Sequence, residues 1–381
     1  MLNVKKYRKE FPVTESYIYL DHAGVSPIPL RVKDTVQSLL TEYSEQGVFA
    51  YEKWMDRVED VRSDFSFFLG CRSEEIAFVK STSHGISLIA NGLQFNEGDN
   101  ILIYEKEFPS NVYPWLNLEK KGVEIRTLSF RNGKVELEDI KNGIDSKTKM
   151  ISISSVQHSN GFKADLRKLG EFCKSKNIYF FVDAIQSLGV EPMDVREFNI
   201  DFLAADGHKW LLAPEGTGIF YCKEELLGEI NPVLIGWNSV VNEREYDKIN
   251  FTLKDDARRF EEGSLNIIGI LALGQSLKFL LEVGIENINK RVLSLGSLVI
   301  EKAEKAGFIV RTPENIEERA GIISFGSEFD PSEIREKLFK DNVLINYRDG
   351  ALRVAPHFYN TEEEIELLFN KIDVIVKELK D

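Results

Sequence analysis

Apolar and polar positions fall in blocks along this chain, and the block lengths separate two regions. From about residue 75 to 225, short apolar runs of strand length recur: IAFV at 76–79, NILIY at 100–104, VEIRTLSF at 123–130, KMISISS at 149–155, IYFFVDA at 178–184, DFLAAD at 201–206 and TGIFYC at 217–222. Helical patterns alternate with them, which predicts an α/β fold with a mostly parallel sheet covered by helices. The runs Ile178 to Val182 and Phe202 to Ala205 are apolar throughout, as in strands buried on both faces. After about residue 255 the pattern lengthens to amphipathic helices over 265–282 and 285–306, then two short strand candidates and a closing helix from Thr361. The expectation is a large domain over 18–255 and a smaller C-terminal α+β domain over 256–381, joined by the N-terminal segment 1–17. No repeat, low-complexity tract or flexible linker separates the two parts, so a ligand site is expected at their interface.

Composition narrows the class. With 381 residues, 43% hydrophobic and 29% charged, the chain reads as globular and long enough for a large core with a companion. Met1 to Arg8 is polar and basic with no apolar stretch behind it, so no targeting signal is readable and a cytoplasmic protein is expected. The most apolar stretch, Ile267 to Leu281, is interrupted by Gly274, Gln275, Ser276 and Lys278, which predicts a core helix and no membrane association. A formal charge of −14 argues against nucleic acid as a partner and suits a small neutral or zwitterionic substrate. Cys71, Cys173 and Cys222 are far apart and lack CxxC spacing, so neither a disulfide nor a metal site is expected.

Three local patterns carry candidate chemistry. Asp206-Gly207-His208-Lys209-Trp210 follows an apolar run and precedes Pro214, Gly216 and Gly218, a setting in which a lysine can be held nearly rigid. The tripeptide alone is unspecific, because most lysines are solvated. Asp183 ends a buried strand, where open α/β sheets place their ligands, and an acid there needs a cationic partner. A protonated pyridine nitrogen would supply one and keep the ring electron poor, and Gln186 could donate to its phenolic oxygen. Ser81-Thr82-Ser83-His84-Gly85 lies between the strand Ile76 to Val79 and the apolar helix Ile86 to Leu93, so free N–H groups and hydroxyls could cradle a phosphate, with a further contact from His208. A dinucleotide site is not indicated, since Gly216-Thr217-Gly218 precedes a strand instead of joining a strand to a helix.

In this order, a phosphate turn, an aspartate on a strand and GHK on the next strand's loop, the chain resembles the class V aminotransferase and cysteine desulfurase superfamily of fold type I pyridoxal phosphate enzymes. The resemblance extends over YLDHAG at 19–24, Thr82-Ser83, EFPSN at 107–111, DAIQ at 183–186, GHK at 207–209, FEEGSLN at 260–266 and LRVAP at 352–356 with Tyr359-Asn360-Thr361. It implies a mostly parallel seven-stranded sheet with helices on both faces and a homodimer. It implies that Lys209 holds pyridoxal 5'-phosphate as a Schiff base and moves the proton, while Asp183 pairs with the pyridine nitrogen and Gln186 with the phenolic oxygen. Thr82, Ser83, His84 and His208 would serve the phosphate, with Ser264 reaching it from the other subunit. Phe108 would stack on the ring, its setting FPSNVY being similar to the kynureninase version. Arg353 would clamp an amino acid's α-carboxylate as a bidentate pair, with Ala23 and His22 beside the substrate.

The chain also departs from its relatives. Desulfurases carry a nucleophilic cysteine on a loop before the carboxylate arginine, where this sequence reads Ile345-Asn346-Tyr347-Arg348-Asp349-Gly350 with no cysteine and in a shorter stretch. Asp206 stands where desulfurases usually have a serine near the phosphate, and a carboxylate there must be turned away or paired. The style of the sequence is closest to the isopenicillin N epimerase-like branch. The leading expectation is therefore an aminotransferase or epimerase type of α-carbanion chemistry, with a desulfurase or β-elimination lyase as the alternative. Epimerisation would need a second acid or base, for which His158 or His22 is the candidate. A non-catalytic cofactor-binding assembly partner fits less well, because the lysine, the acid and the carboxylate arginine are all present.

Overall fold

The structure is a computed structural model in which residues 2–380 are described. It begins with α1 (Val4–Arg8), the short strand β1 (Ile18–Tyr19) and two long helices, α2 (Leu30–Gln46) and α3 (Tyr51–Leu69). Then β2 (Ile76–Val79), α4 (Thr82–Gly92), β3 (Asn100–Tyr104), α5 (Tyr113–Leu116), β4 (Glu124–Leu128), α6 (Leu137–Gly143) and β5 (Thr148–Ser154) follow. Next come α7 (Leu166–Lys176), β6 (Tyr179–Asp183), β7 (Phe202–Asp206) and β8 (Gly218–Cys222). The last part holds α8 (Ile267–Val283), α9 (Ile285–Lys305), β9 (Ile309–Val310), β10 (Ile323–Gly326), α10 (Pro331–Lys340), β11 (Val343–Leu344), β12 (Asn346–Arg348), β13 (Ala351–Val354) and α11 (Glu362–Lys380).

All seven expected runs in the first region are strands of one seven-stranded sheet, ordered β2-β8-β7-β6-β5-β3-β4. Strands β3 to β7 pair in parallel, and β8 runs antiparallel to both of its neighbours. The period-2 geometry of a strand sends successive side chains to opposite faces. Phe180, Val182, Leu203 and Ala205 accordingly enter one core with α3 and α7, while Phe181, Phe202 and Ala204 enter another with α4 and Trp115. Because both faces are covered, these strands can be apolar at every position.

A second sheet, β12-β13-β10-β9, carries a third core with α10 and α11. The division between the cores differs from the expected boundary at 255/256. Helix α8 is buried almost all round and packs on α2 and α3 within the large core, and α9 passes from that core at Ile288 and Val292 to the small one at Leu295 and Val299. The chain start also crosses over, since β1 pairs with β11 beside the small sheet while Tyr7 and Phe11 lie in the large core. No single helix among the described residues is long and apolar enough to cross a membrane.

Candidate active site

The carboxyl ends of β2, β3, β5, β6 and β7 open on one side of the sheet, and the segments that follow them line a cavity of about 470 Å³. They contribute Ser81 to Ser83, Phe108 and Ser110, His158, Asp183, Ile185 and Gln186, and Asp206, His208 and Lys209. The strap after β1 adds Tyr19, Asp21 and Ala23 to Val25, and the small sheet adds Asn346, Arg348 and Arg353. The cavity thus joins the two sheets, as expected from the absence of a linker.

Lys209 is only 8% exposed, and burial lowers its ammonium to about 8, opposed by the negative charge of Asp183. Its Nζ lies 5.4 Å from the centre of the Phe108 ring. Asp183 is 1% exposed, and burial raises its carboxyl to about 6 although the Ile185 N–H donates to it at 3.0 Å. A second buried acid, Glu107, lies behind this carboxylate. Burial raises it to about 8, opposed by hydrogen bonds from the hydroxyl and the backbone N–H of Ser154 and with the charge of Asp183 adding to the rise.

Arg353 is held from two sides. Its Nη1 donates to the His158 carbonyl at 2.9 Å and its Nη2 to Asp21 at 3.1 Å, while its Nε is buried without a partner. His158 packs edge-on against Phe108 with ring centres 5.3 Å apart. Burial lowers its imidazole to about 4, and the charges of Arg353, Lys209 and Arg348 push in the same direction, so the ring is neutral near pH 7. At the opposite end Ser81 caps α4, the Ser83 hydroxyl donates to Ser110 at 2.7 Å, and the Asp206 N–H donates to the Thr82 hydroxyl at 3.1 Å. The Asp206 carboxylate lies 3.1 Å from His208 Nδ1, but neither atom has a hydrogen-bond partner.

These features fit a flat pyridinium with a dianionic tail. The buried Asp183 suits a ring cation, the Phe108 face suits a planar ring, the first turn of α4 suits a phosphate, and a buried lysine with a lowered ammonium suits covalent attachment to an aldehyde. A family model described as aminotransferase class-V matches residues 18–368.

The chain belongs to the aminotransferase class-V family. It is 29% identical to a probable cysteine desulfurase of Methanothermobacter thermautotrophicus, over 98% of each chain. The apo cysteine desulfurase of Thermococcus onnurineus superposes with a TM-score of 0.91 at 26% identity over 99% of each chain. The cystine C–S lyase C-DES bound to its product cysteine persulfide, at 20% identity, has the same fold, with a TM-score of 0.90 over 95% of this chain and 99% of that one. The chain is a pyridoxal phosphate-dependent enzyme with the class V fold.

Two expected site residues, His22 and His84, stand outside the Lys209 cavity. His22 is fully buried outside the cavity, its Nδ1 donating to the Ala355 carbonyl and its Nε2 accepting from the Tyr359 hydroxyl, both at 2.7 Å. Both nitrogens are engaged and burial lowers the imidazole to about 4, so it braces the fold and leaves the list of acid–base candidates. The His84 side chain turns away from the phosphate turn into a separate pocket with Lys80, Glu262 and Ser264. Ser264 is outside the Lys209 cavity of its own chain, on a strap tied to α3 by the bidentate pair of Arg62 with Glu261 at 2.7 and 3.1 Å and to β2 by the Phe78 N–H, which donates to Glu261 at 2.8 Å. Ala23 does line the cavity, and its carbonyl accepts from Gln186 at 3.1 Å, while Trp210 fixes the other end of the same amide at 2.8 Å.

Sequence reading missed Arg348, Asn346 and Asp21, which stand with Arg353. The loop read as shortened is a two-residue turn, Asp349 and Gly350, both at positive φ of 54° and 70°, joining β12 to β13. The cysteines lie elsewhere, and burial pushes Cys71 and Cys173 up to about 12 and Cys222 upward as well.

Proposed function

We propose that this enzyme acts on an amino acid by one-base chemistry, with Lys209 removing the α-proton, Arg353 holding the α-carboxylate and no sulfur passing to the protein. The observation that carries this reading is the Asp349–Gly350 turn, which leaves no loop to present a thiol beside Arg353. Pyridoxal phosphate, when bound, supplies an electron-poor ring that stabilises negative charge at the α-carbon. Thr82, Ser83 and His208 would hold its phosphate, Asp183 its ring nitrogen, Gln186 its phenolic oxygen and Phe108 its face. Burial of Lys209 keeps a fraction of free amine available near pH 8, and the Asp21 and His158 contacts fix Arg353 for bidentate binding.

Lys209 alone suffices for transamination or for loss of a β-substituent, the latter being the type of reaction named for the C–S lyase neighbour. Epimerisation, in the manner of the isopenicillin N epimerase-like branch, is the second reading. It is favoured by a single group, His158, whose Nδ1 is buried without a partner in the cavity. The same proposal includes a cytoplasmic homodimer in which Ser264 serves the partner's phosphate. Val233, Leu234, Ile235 and Trp237 are exposed near that strap and support a buried interface there.

The test is a panel of L-amino acids in deuterated solvent with the holoenzyme. A visible absorption band, lost in Lys209→Ala, is expected to change on adding substrates while α-hydrogen exchanges. Persulfide on the protein with sulfide from L-cysteine would overturn the reading, and so would a band that no amino acid alters.

A further inference from the structure

Arg348 is a guanidinium in the same cavity as Arg353, and among the described residues no carboxylate lies within ion-pair distance of it. Asp21, on the strap beside this wall, is already used: one oxygen accepts from Arg353 at 3.1 Å and the other from Asn346 Nδ2 at 2.8 Å, and Asp349 in the turn is paired with Lys106. Asn346 in turn accepts from Arg348 Nη1 at 2.9 Å, and the Tyr347 carbonyl accepts from the same nitrogen at 2.8 Å. The result is a relay, Arg353–Asp21–Asn346–Arg348, in which two cations share one anion.

The hairpin register explains why both point to the site. Asn346 pairs with Arg353 and Arg348 with Ala351 across the antiparallel strands. Residues two apart on a strand share a face, so Asn346, Arg348 and Arg353 lie on one face and Tyr347 on the other. Arg348 and Arg353 are diagonal neighbours, whose Cα atoms in such a pair are about 7–8 Å apart. Two arginine forks projecting from that spacing can close on two carboxylates joined by a short carbon chain. Like charges brought together under partial burial are costly without a counter-ion, and a bound dianion removes that cost. The chain's net charge of −14 makes the local excess of cations all the more specific to this wall.

We propose that Arg348 determines specificity, and that the substrate is an amino acid whose short side chain carries a second acidic group, a carboxylate or sulfinate, with its α-carboxylate on Arg353. This rests on the reading of Lys209 and Arg353 given above. It assigns the side-chain end of the substrate to the β12–β13 turn, where a desulfurase would present its cysteine.

The experiment measures dissociation constants of the holoenzyme by visible-band titration and calorimetry. The acidic probes are L-aspartate, L-glutamate and L-cysteine sulfinate, and the neutral ones are L-alanine and L-2-aminobutyrate. At least one acidic probe should bind about 10- to 100-fold more tightly than L-alanine, the range of one charge-assisted contact. In Arg348→Gln that ratio should fall toward one, and in Arg348→Lys it should be intermediate, because lysine keeps the charge and loses the fork. Equal affinities in the unsubstituted enzyme, or a ratio that survives in Arg348→Gln, would overturn the assignment. A ratio unchanged while all probes weaken together would reduce Arg348 to a brace of the hairpin. A band that responds to neutral and acidic probes alike leaves the one-base reading standing and removes only this inference; a band that responds to none removes the one-base reading itself.

Discussion

Lys209 and Asp183 face a common cavity, and each is shifted by burial in the direction that weakens its charge, while each opposes the other's shift. The neutral amine is the nucleophile, so its reactivity rises with pH and levels off above about 8. Site-resolved acylation of the cofactor-free protein, read by mass spectrometry, should show this midpoint, and a midpoint near 10.5 would show that Lys209 is solvated. His22 behaves differently, because its lowered imidazole belongs to the fold. The unfolded chain takes up its proton near 6.5 and the folded one near 4, so the stability that neutral His22 contributes is complete above 6.5 and is lost progressively as pH falls toward 4. His357, 5.2 Å away ring to ring and also lowered by burial, adds to the same slope. Thermal melts of His22→Phe should lose part of that acid slope, and at pH 7 the variant should be less stable by about 1–3 kcal/mol for the stranded Tyr359 and Ala355 groups.

At the scale of elements, the site depends on two tight connections with different tolerance. Gly350 closes the β12–β13 turn at φ 70°, and a Cβ there would meet nothing within 4 Å. Gly350→Ala should therefore cost only the conformational penalty, about 1 kcal/mol. Gly161 follows the His158 loop at φ 77°, where a Cβ would stand 2.0 Å from the Ile322 carbonyl oxygen. Gly161→Ala must push β10 from the loop, so its melting temperature should fall well below that of Gly350→Ala and amino acid binding should weaken, because His158 holds Arg353 through its carbonyl. Chemical denaturation of the two variants side by side checks the order, and equal losses would refute it.

For the whole molecule, the separation of Ser264 from its own Lys209 cavity has a genetic consequence. If Ser264 serves the partner, co-expressed chains carrying Lys209→Ala and Ser264→Arg should form mixed dimers with one intact site. Activity near half that of the unsubstituted dimer is expected, where either variant alone has little. A mixed dimer without activity would place Ser264 in its own chain's site.

The seven strands were legible in the sequence because a buried strand is apolar at every position, and Lys209, Asp183 and Ser83 because they stand at or just after the ends of such strands, whereas Phe108 and Arg353 were legible only through the resemblance to the class V family. The order of strands in the sheet was not, since pairing brings together segments far apart in the chain. His22 and His84 sat in motifs that pointed to the cavity, yet one side chain turned into the core and the other to a second pocket, because side-chain direction depends on packing that no tripeptide encodes. The boundary at 255/256 failed for the same reason: α8 is helical by its own sequence, but its burial against α2 and α3 assigns it to the large core. Sequence by itself determined that this chain has a lysine, an acid and an arginine fit for a pyridoxal phosphate enzyme and lacks the loop cysteine. Tertiary structure alone decided that Arg348 stands beside Arg353, because only the register of a two-residue turn puts both on one face.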